Sequence, residues 1–309
     1  MNIQSISIVV PTKGCVNSCK FCVSCMHSND YSNDFDEIQI KKRIKFAINN
    51  GVNTCILTGT GEALQNIRFL SELSGIFDEL DHPFPNVELQ TTGVLLNKYS
   101  EGNVKPYVGV KFYDNIKLLK KLRVNTISLS VSDIYSSLNN SEIIGVSDTL
   151  RFELKELCNF IKDNGFNLRL SLNMTKSFDY RKPVQILQRC KDFGADQITF
   201  RKLYHSNDGS PQSEWVKENA CEYDTLKDLE NYIAGHWVHN QVEEWREGGK
   251  GKALYRLPFG AMAYSIMGMS TVVDDNCMSK EENEKLKYVI LRENGKLYAQ
   301  WDDEGSLIF

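Results

Sequence analysis

Three cysteines fall close together in Cys15-Val-Asn-Ser-Cys19-Lys-Phe21-Cys22. A thiolate is a soft, tight metal ligand. Three of them on one short loop can hold three irons of a cubane 4Fe–4S cluster and leave the fourth iron open. The same residues would serve zinc if Cys25 or His27 completed a tetrahedral set. Cys25 otherwise reads as a small residue beside the cluster and not as a ligand. The chain has nine cysteines, an odd count for a disulfide framework, so the grouping points to metal or redox chemistry in a reducing compartment.

Other residues with chemical potential are more scattered. Gly59-Thr60-Gly61-Glu62-Ala63 is a turn in which Gly61 lets a ligand approach the backbone and Glu62 accepts from an ammonium. Glu62 is expected in an exposed strand-end loop. Ser130 and Asn173 each fall at a strand end, as ligand contacts or as satisfied polar caps. His236 and His239 share a helical face, but with no third ligand and with Trp237 between them they suit packing as well as metal.

The elements that must position these groups alternate. Strand patterns at Ile6–Pro11, 54–58, 87–91, 126–131, 168–172 and 197–200 are interleaved with helical patterns at 37–49, 67–80, 115–122, 149–164 and 184–193. Serial strand–helix units predict an α/β fold with a parallel sheet, a doubly wound sheet being the alternative. Beyond about residue 205 the rhythm changes. A helix is expected over 224–233, a Gly-rich linker at 248–251, and a hairpin around 288–301 turning at Asn294-Gly295.

The Cys-x3-Cys-x2-Cys loop with an aromatic, Phe21, before its last cysteine resembles the defining loop of radical S-adenosylmethionine (SAM) enzymes. That resemblance implies a partial (βα)6 barrel of parallel strands over residues 1–205. A C-terminal α/β extension over 206–309 would then cover the substrate side. It implies one 4Fe–4S cluster on Cys15, Cys19 and Cys22, with SAM bound at its open iron. It also implies an electron donor of the flavodoxin or ferredoxin type. Phe21, Gly61, Glu62, Ser130 and Asn173 are the positions that match the family's cofactor contacts. Thr60-Gly61-Glu62-Ala63 departs from a Gly-Gly-Glu-Pro-like turn at its first and last residues. A non-catalytic iron–sulfur protein would not need such a turn.

The last third, with Tyr255–Gly260, Ile266–Val273 and Leu291–Leu297, resembles the C-terminal part of the molybdenum-cofactor GTP cyclase branch. That branch places three further cysteines here for a second cluster, whereas this chain has only Cys277. Asp274-Asp275-Asn276-Cys277 stands in their place. A carboxylate there would match the paired N–H donors of a guanine-like edge, unless the acids form a solvated loop. The implied substrate is a small purine or 7-deazapurine, and queuine lyase is one enzyme of the class that fits. The competing reading is a peptide-modifying enzyme of epimerase type, with Cys221 or Cys277 as hydrogen donor.

Composition agrees with a small-molecule enzyme. The net charge is −4 and 41% of residues are hydrophobic, with no basic stripe of the kind nucleic acid requires. No apolar run reaches the roughly 18 residues of a spanning helix. The N-terminus shows no basic n-region or cleavage site, which gives a cytoplasmic expectation with no membrane partner.

Overall fold

The computed structural model describes residues 3–25, 36–96, 115–206, 208–236, 250–257, 260–274, 286–301 and 303–309. Strands β1 (Ser5–Val10), β2 (Thr54–Gly59), β3 (Asn86–Thr91), β4 (Thr126–Val131), β5 (Asn167–Asn173) and β6 (Gln197–Arg201) lie side by side in chain order. Each is parallel to the next. A doubly wound sheet would reverse its order at a switch point. This one does not, and the unclosed sheet is that of a partial barrel.

Between the strands run α1 (Glu37–Asn49), α2 (Ile67–Glu79), α3 (Asn115–Lys121), α4 (Ser137–Ile143), α5 (Leu154–Asp163) and α6 (Pro183–Asp192). Side chains alternate across each strand. Ile6, Ile8, Leu57, Leu89, Leu129 and Leu170 join Ile44, Leu70, Leu119, Leu157 and Ile186 of the helices in one buried cluster. Burying each such side chain contributes about 1.5–3 kcal/mol, which holds the helices on that face. The other face is polar. There Ser128 sits in register with Gln90 and Arg169, and Arg169 with Gln197. Arg169 donates to Gln197 Oε1 at 2.7 Å and pairs with the buried Glu88.

Two details differ from expectation. Helix α5 starts at Leu154, and the stretch expected to begin it forms a 3-10 turn at Asp148–Leu150. Helix α4 was not expected, because Ser-Leu-Asn-Asn-Ser-Glu-Ile carries no long apolar period. Local polar bonds define it instead: Ser136 caps it by accepting from Asn139 N, and Asn140 Oδ1 accepts from Ser132 N at 2.8 Å.

The segment after residue 205 adds α7 (Pro211–Asn219), α8 (Tyr223–Ala234) and strands at both edges of the same sheet. β7 (Lys252–Arg256), β8 (Met262–Ile266) and β9 (Met269–Asp274) make an antiparallel meander. Its last strand pairs parallel with β6. β10 (Tyr288–Leu291) pairs parallel with β1, and β11 (Leu297–Tyr298) turns back against it as the expected hairpin. Among the described residues the sheet is thus 11-stranded, and β1–β6, β9 and β10 all end on one edge. Among the described residues no helix is long and apolar enough to cross a membrane.

Candidate cluster and cofactor site

The cysteine loop leaves β1 on that edge. Gly14 turns the chain at φ 77°, and the loop is then clamped from two sides. Val16 N donates to Gln65 Oε1 at 2.8 Å, from the turn after β2. Ser18 N donates to Gly145 O at 3.3 Å and Lys20 N to Ile143 O at 3.0 Å, at the end of α4. Gly145 has φ 65°, and a Cβ there would lie 2.4 Å from Ser18 O, so only glycine admits the loop this closely.

Cys15 is exposed, while Cys19 and Cys22 are half-buried. Burial pushes the Cys15 thiol up, partly offset by the hydrogen bond from Asn17 N. Burial raises Cys19 further, reinforced by the proximity of Cys22, Cys15 and Glu62. The three thiols and Glu62 therefore share one neighbourhood. Among the described residues no three His, Cys, Asp or Glu side chains converge closely enough for a single metal ion. A cubane differs from such a site because each thiolate takes a different iron. His27 and the side chain of Cys25 lie outside the described residues.

The turn after β2 departs from expectation. Glu62 is not exposed: only 3% of its surface meets solvent. Its Oε1 accepts from Thr91 Oγ1 at 2.6 Å. Its Oε2 accepts from Thr92 N at 2.9 Å and Thr92 Oγ1 at 2.8 Å. Burial raises its pKa, and these three donors oppose that by favouring the carboxylate. The reason for the difference is non-local. Thr91 and Thr92 at the end of β3 fold over the turn, a pairing that the composition of the turn does not reveal. Asn66 locks the same turn, capping α2 through Phe69 N while its Nδ2 donates to Pro11 O at 2.7 Å.

Ser130 and Asn173 come together on adjacent strands. Asn173 Nδ2 donates to Ser130 Oγ at 2.9 Å and reaches Ser132 Oγ at 3.4 Å. Phe21 is half-buried and lies against Trp215 of α7, with ring centroids 6.2 Å apart. Asp274 ends β9 in register with Arg201 and is 5% exposed, so it does not belong to a solvated loop. Asp275 and Cys277 lie outside the described residues, as does His239, while His236 is exposed. Cys221 is half-buried, its N–H donating to Met174 O just beyond β5. Burial, then the nearby Asp179, pushes its thiol up to about 12.

The residues present fit a SAM-bound cluster. Two buried polar atoms of the cysteine loop and its approach from β1, Asn17 Oδ1 and Thr12 Oγ1, have no partner among the described residues. Buried polar atoms call for one. A Cβ on Gly61 would fall 2.4 Å from Thr12 Oγ1 and 2.6 Å from Gly14 O, so the turn and the cysteine loop meet at van der Waals limits. Sequence reasoning passed over Asn17, Gln65, Thr91, Thr92 and Gly145. Only the Thr-Thr-Gly at the end of β3, a polar strand end before a turn, gave any signal for them.

Comparison with known proteins agrees with this geometry. The profile of the Radical SAM superfamily matches residues 9–176, more than half of the 309-residue chain. The fold is similar to that of SuiB from Streptococcus suis bound to S-adenosylmethionine. That structure is 13% identical with a TM-score of 0.59, and the match covers 96% of this chain and 60% of that one. SuiB bound to its precursor peptide SuiA is similar at 15% identity and a TM-score of 0.52, covering 96% and 59%. This chain therefore spans about three-fifths of the length of those structures. Curated protein sequences give no match. With the family profile running from the end of β1 through β5 and the cysteine loop inside it, the chain belongs to the radical SAM superfamily, whose members work with a 4Fe–4S cluster and SAM.

Proposed function

We propose that the chain abstracts hydrogen from a small polar substrate, a purine or 7-deazapurine, with release of the deazaguanine core of queuine as the specific lyase reaction. When bound, the cluster and SAM together supply a 5′-deoxyadenosyl radical. Cys15, Cys19 and Cys22 hold the cluster in this reading, on a loop kept in place by Gly145 and Gln65. Gly61 and Glu62 receive the ammonium end of SAM, where a cation offsets a buried carboxylate. Ser130 and Asn173, already bonded to each other, present hydroxyl and amide groups farther along the same edge, and Phe21 of the cysteine loop packs against Trp215. Residues 1–205 carry this cofactor chemistry, and residues 206–309 cover the substrate side. The setting is cytoplasmic, with a flavodoxin- or ferredoxin-type donor.

Buried Asp274 carries the substrate assignment. It stands at the cofactor edge of β9, where a carboxylate pairs with two N–H donors of a guanine-like edge. The test follows 5′-deoxyadenosine formation with SAM, dithionite and a panel of guanine-like bases, nucleosides and peptides. Queuine should stimulate most, and Asp274→Asn should cut its apparent affinity about tenfold or more. Stimulation by peptides alone would overturn the assignment.

A second reading has its own observation. The fold likeness to SuiB, solved with a precursor peptide, extends over 96% of this chain. On that reading Cys221, whose thiol stays protonated up to about 12, is the hydrogen donor to a peptide radical.

A further inference from the structure

Asn17 touches both halves of the cofactor junction. Its backbone N–H donates to Cys15 Sγ at 3.4 Å. Its side-chain Nδ2 donates to Thr92 Oγ1 at 2.8 Å. Thr92 then has its own proton left for Glu62 Oε2, also at 2.8 Å, and its N–H donates to the same oxygen. A carboxylate only accepts, so the direction of the whole chain is fixed: Asn17 to Thr92 to Glu62. Asn17 is only 6% exposed, and the other end of its amide, Oδ1, has no partner among the described residues. A residue held by one end of its amide, with the other end unsatisfied, suits a place where a ligand completes the bonding.

We propose that Asn17 is a positioning residue that ties the Cys15 sulfur to the Glu62 turn through Thr92. The inference rests on Cys15 as a cluster ligand and on Glu62 as part of the SAM site. An N–H directed at a ligand sulfur stabilises the more negative, reduced cluster and raises its potential. The Nδ2–Thr92 bond fixes the backbone that carries this N–H. Occupation of the Glu62 turn is thereby felt at the sulfur, and the cluster's electronic state answers to SAM through this tether as well as through direct ligation.

The test uses the full chain, reconstituted anaerobically, in Asn17→Ala, Thr92→Val and Thr92→Ser forms. Iron content, melting curve, cluster reduction potential and the SAM-induced change in the reduced cluster's electron paramagnetic resonance spectrum are measured. Asn17→Ala and Thr92→Val should keep wild-type iron, show a more negative potential, and bind SAM about threefold to tenfold more weakly. Thr92→Ser, which keeps the hydroxyl, should match the wild type. The double variant should be no worse than either single one, as members of one chain are not additive. Wild-type potential and SAM response in both single variants, or additive losses in the double, would overturn the proposal. If Asn17→Ala takes up no iron, Thr92→Val decides, since it replaces no residue of the cysteine loop. Failure of Thr92→Val to load iron would contradict the expected wild-type iron and overturn the proposal. A wild-type protein that itself binds no cluster would instead refute the ligand assignment on which the tether stands.

Discussion

Cys15 is exposed and its two partners half-buried, whereas Glu62, across the same junction, is almost wholly buried with both oxygens occupied. The cysteine loop is held mainly by its backbone, through Gln65, Gly145 and Ile143, which leaves its thiols to metal. The turn after β2 is held by its side chains, through Thr91, Thr92 and Asn66. One region keeps reactive groups accessible and the other sets a charged group in advance. An open iron needs the first arrangement, and a ligand that must always bind in one orientation needs the second.

The comparison breaks most sharply at the thiols. Replacing Cys15, Cys19 or Cys22 by Ala should abolish the 4Fe–4S absorbance, while Cys25→Ala should leave it. A cluster surviving any of the three single changes would show that the loop was misread.

Glu62→Ala comes next. It strands the buried Thr91 hydroxyl and the Thr92 N–H, so it should cost about 2–3 kcal/mol of stability as well as SAM binding. Denaturant unfolding checks this, and a wild-type midpoint would mean that the turn is not set by its threonines. Glu62→Gln, which keeps the shape and one acceptor, should lose less.

Asn173→Ala removes a single amide from Ser130 and Ser132. We expect about 1 kcal/mol of destabilisation and a SAM affinity reduced about threefold to tenfold. An unchanged affinity, measured by equilibrium dialysis, would leave the pair a structural cap.

The smallest effect concerns the apo protein's thiols. Cys15 should alkylate first because it is exposed, and Cys55 and Cys190, both fully buried with thiols raised by desolvation, only on unfolding. Cys15 is also raised, so at neutral pH its thiolate fraction is below that of a free cysteine. Its labelling should be slower than a peptide thiol's and should speed up as pH rises. Mass mapping after a timed pulse reads both, and early labelling of Cys55 would contradict the packed outer face.

Much of this was legible in the chain itself. Ser5–Val10 and Thr126–Val131 alternate polar with apolar residues, and that period gave both the strands and their order, because each unit packs beside the one before it. The cysteine loop stands out in the chain because residue type and spacing alone mark it. The exposed setting expected for Glu62 is overturned, because Thr91 and Thr92 reach it from the end of another strand. Helix α4 escaped notice since side-chain caps define it in place of apolar period, and the fit of Gly145 against Ser18 depends on that helix. Asp274 reads as half of an acidic loop in sequence, yet pairing with β6 buries it.

The central claim is that the loop of Cys15, Cys19 and Cys22 carries one cluster that opens SAM. Anaerobically reconstituted protein should contain about four irons per chain. After dithionite reduction its paramagnetic signal should change on adding SAM, and 5′-deoxyadenosine and methionine should appear in equal amounts. About eight irons per chain, or a reduced cluster whose spectrum ignores SAM and yields no 5′-deoxyadenosine, would contradict it.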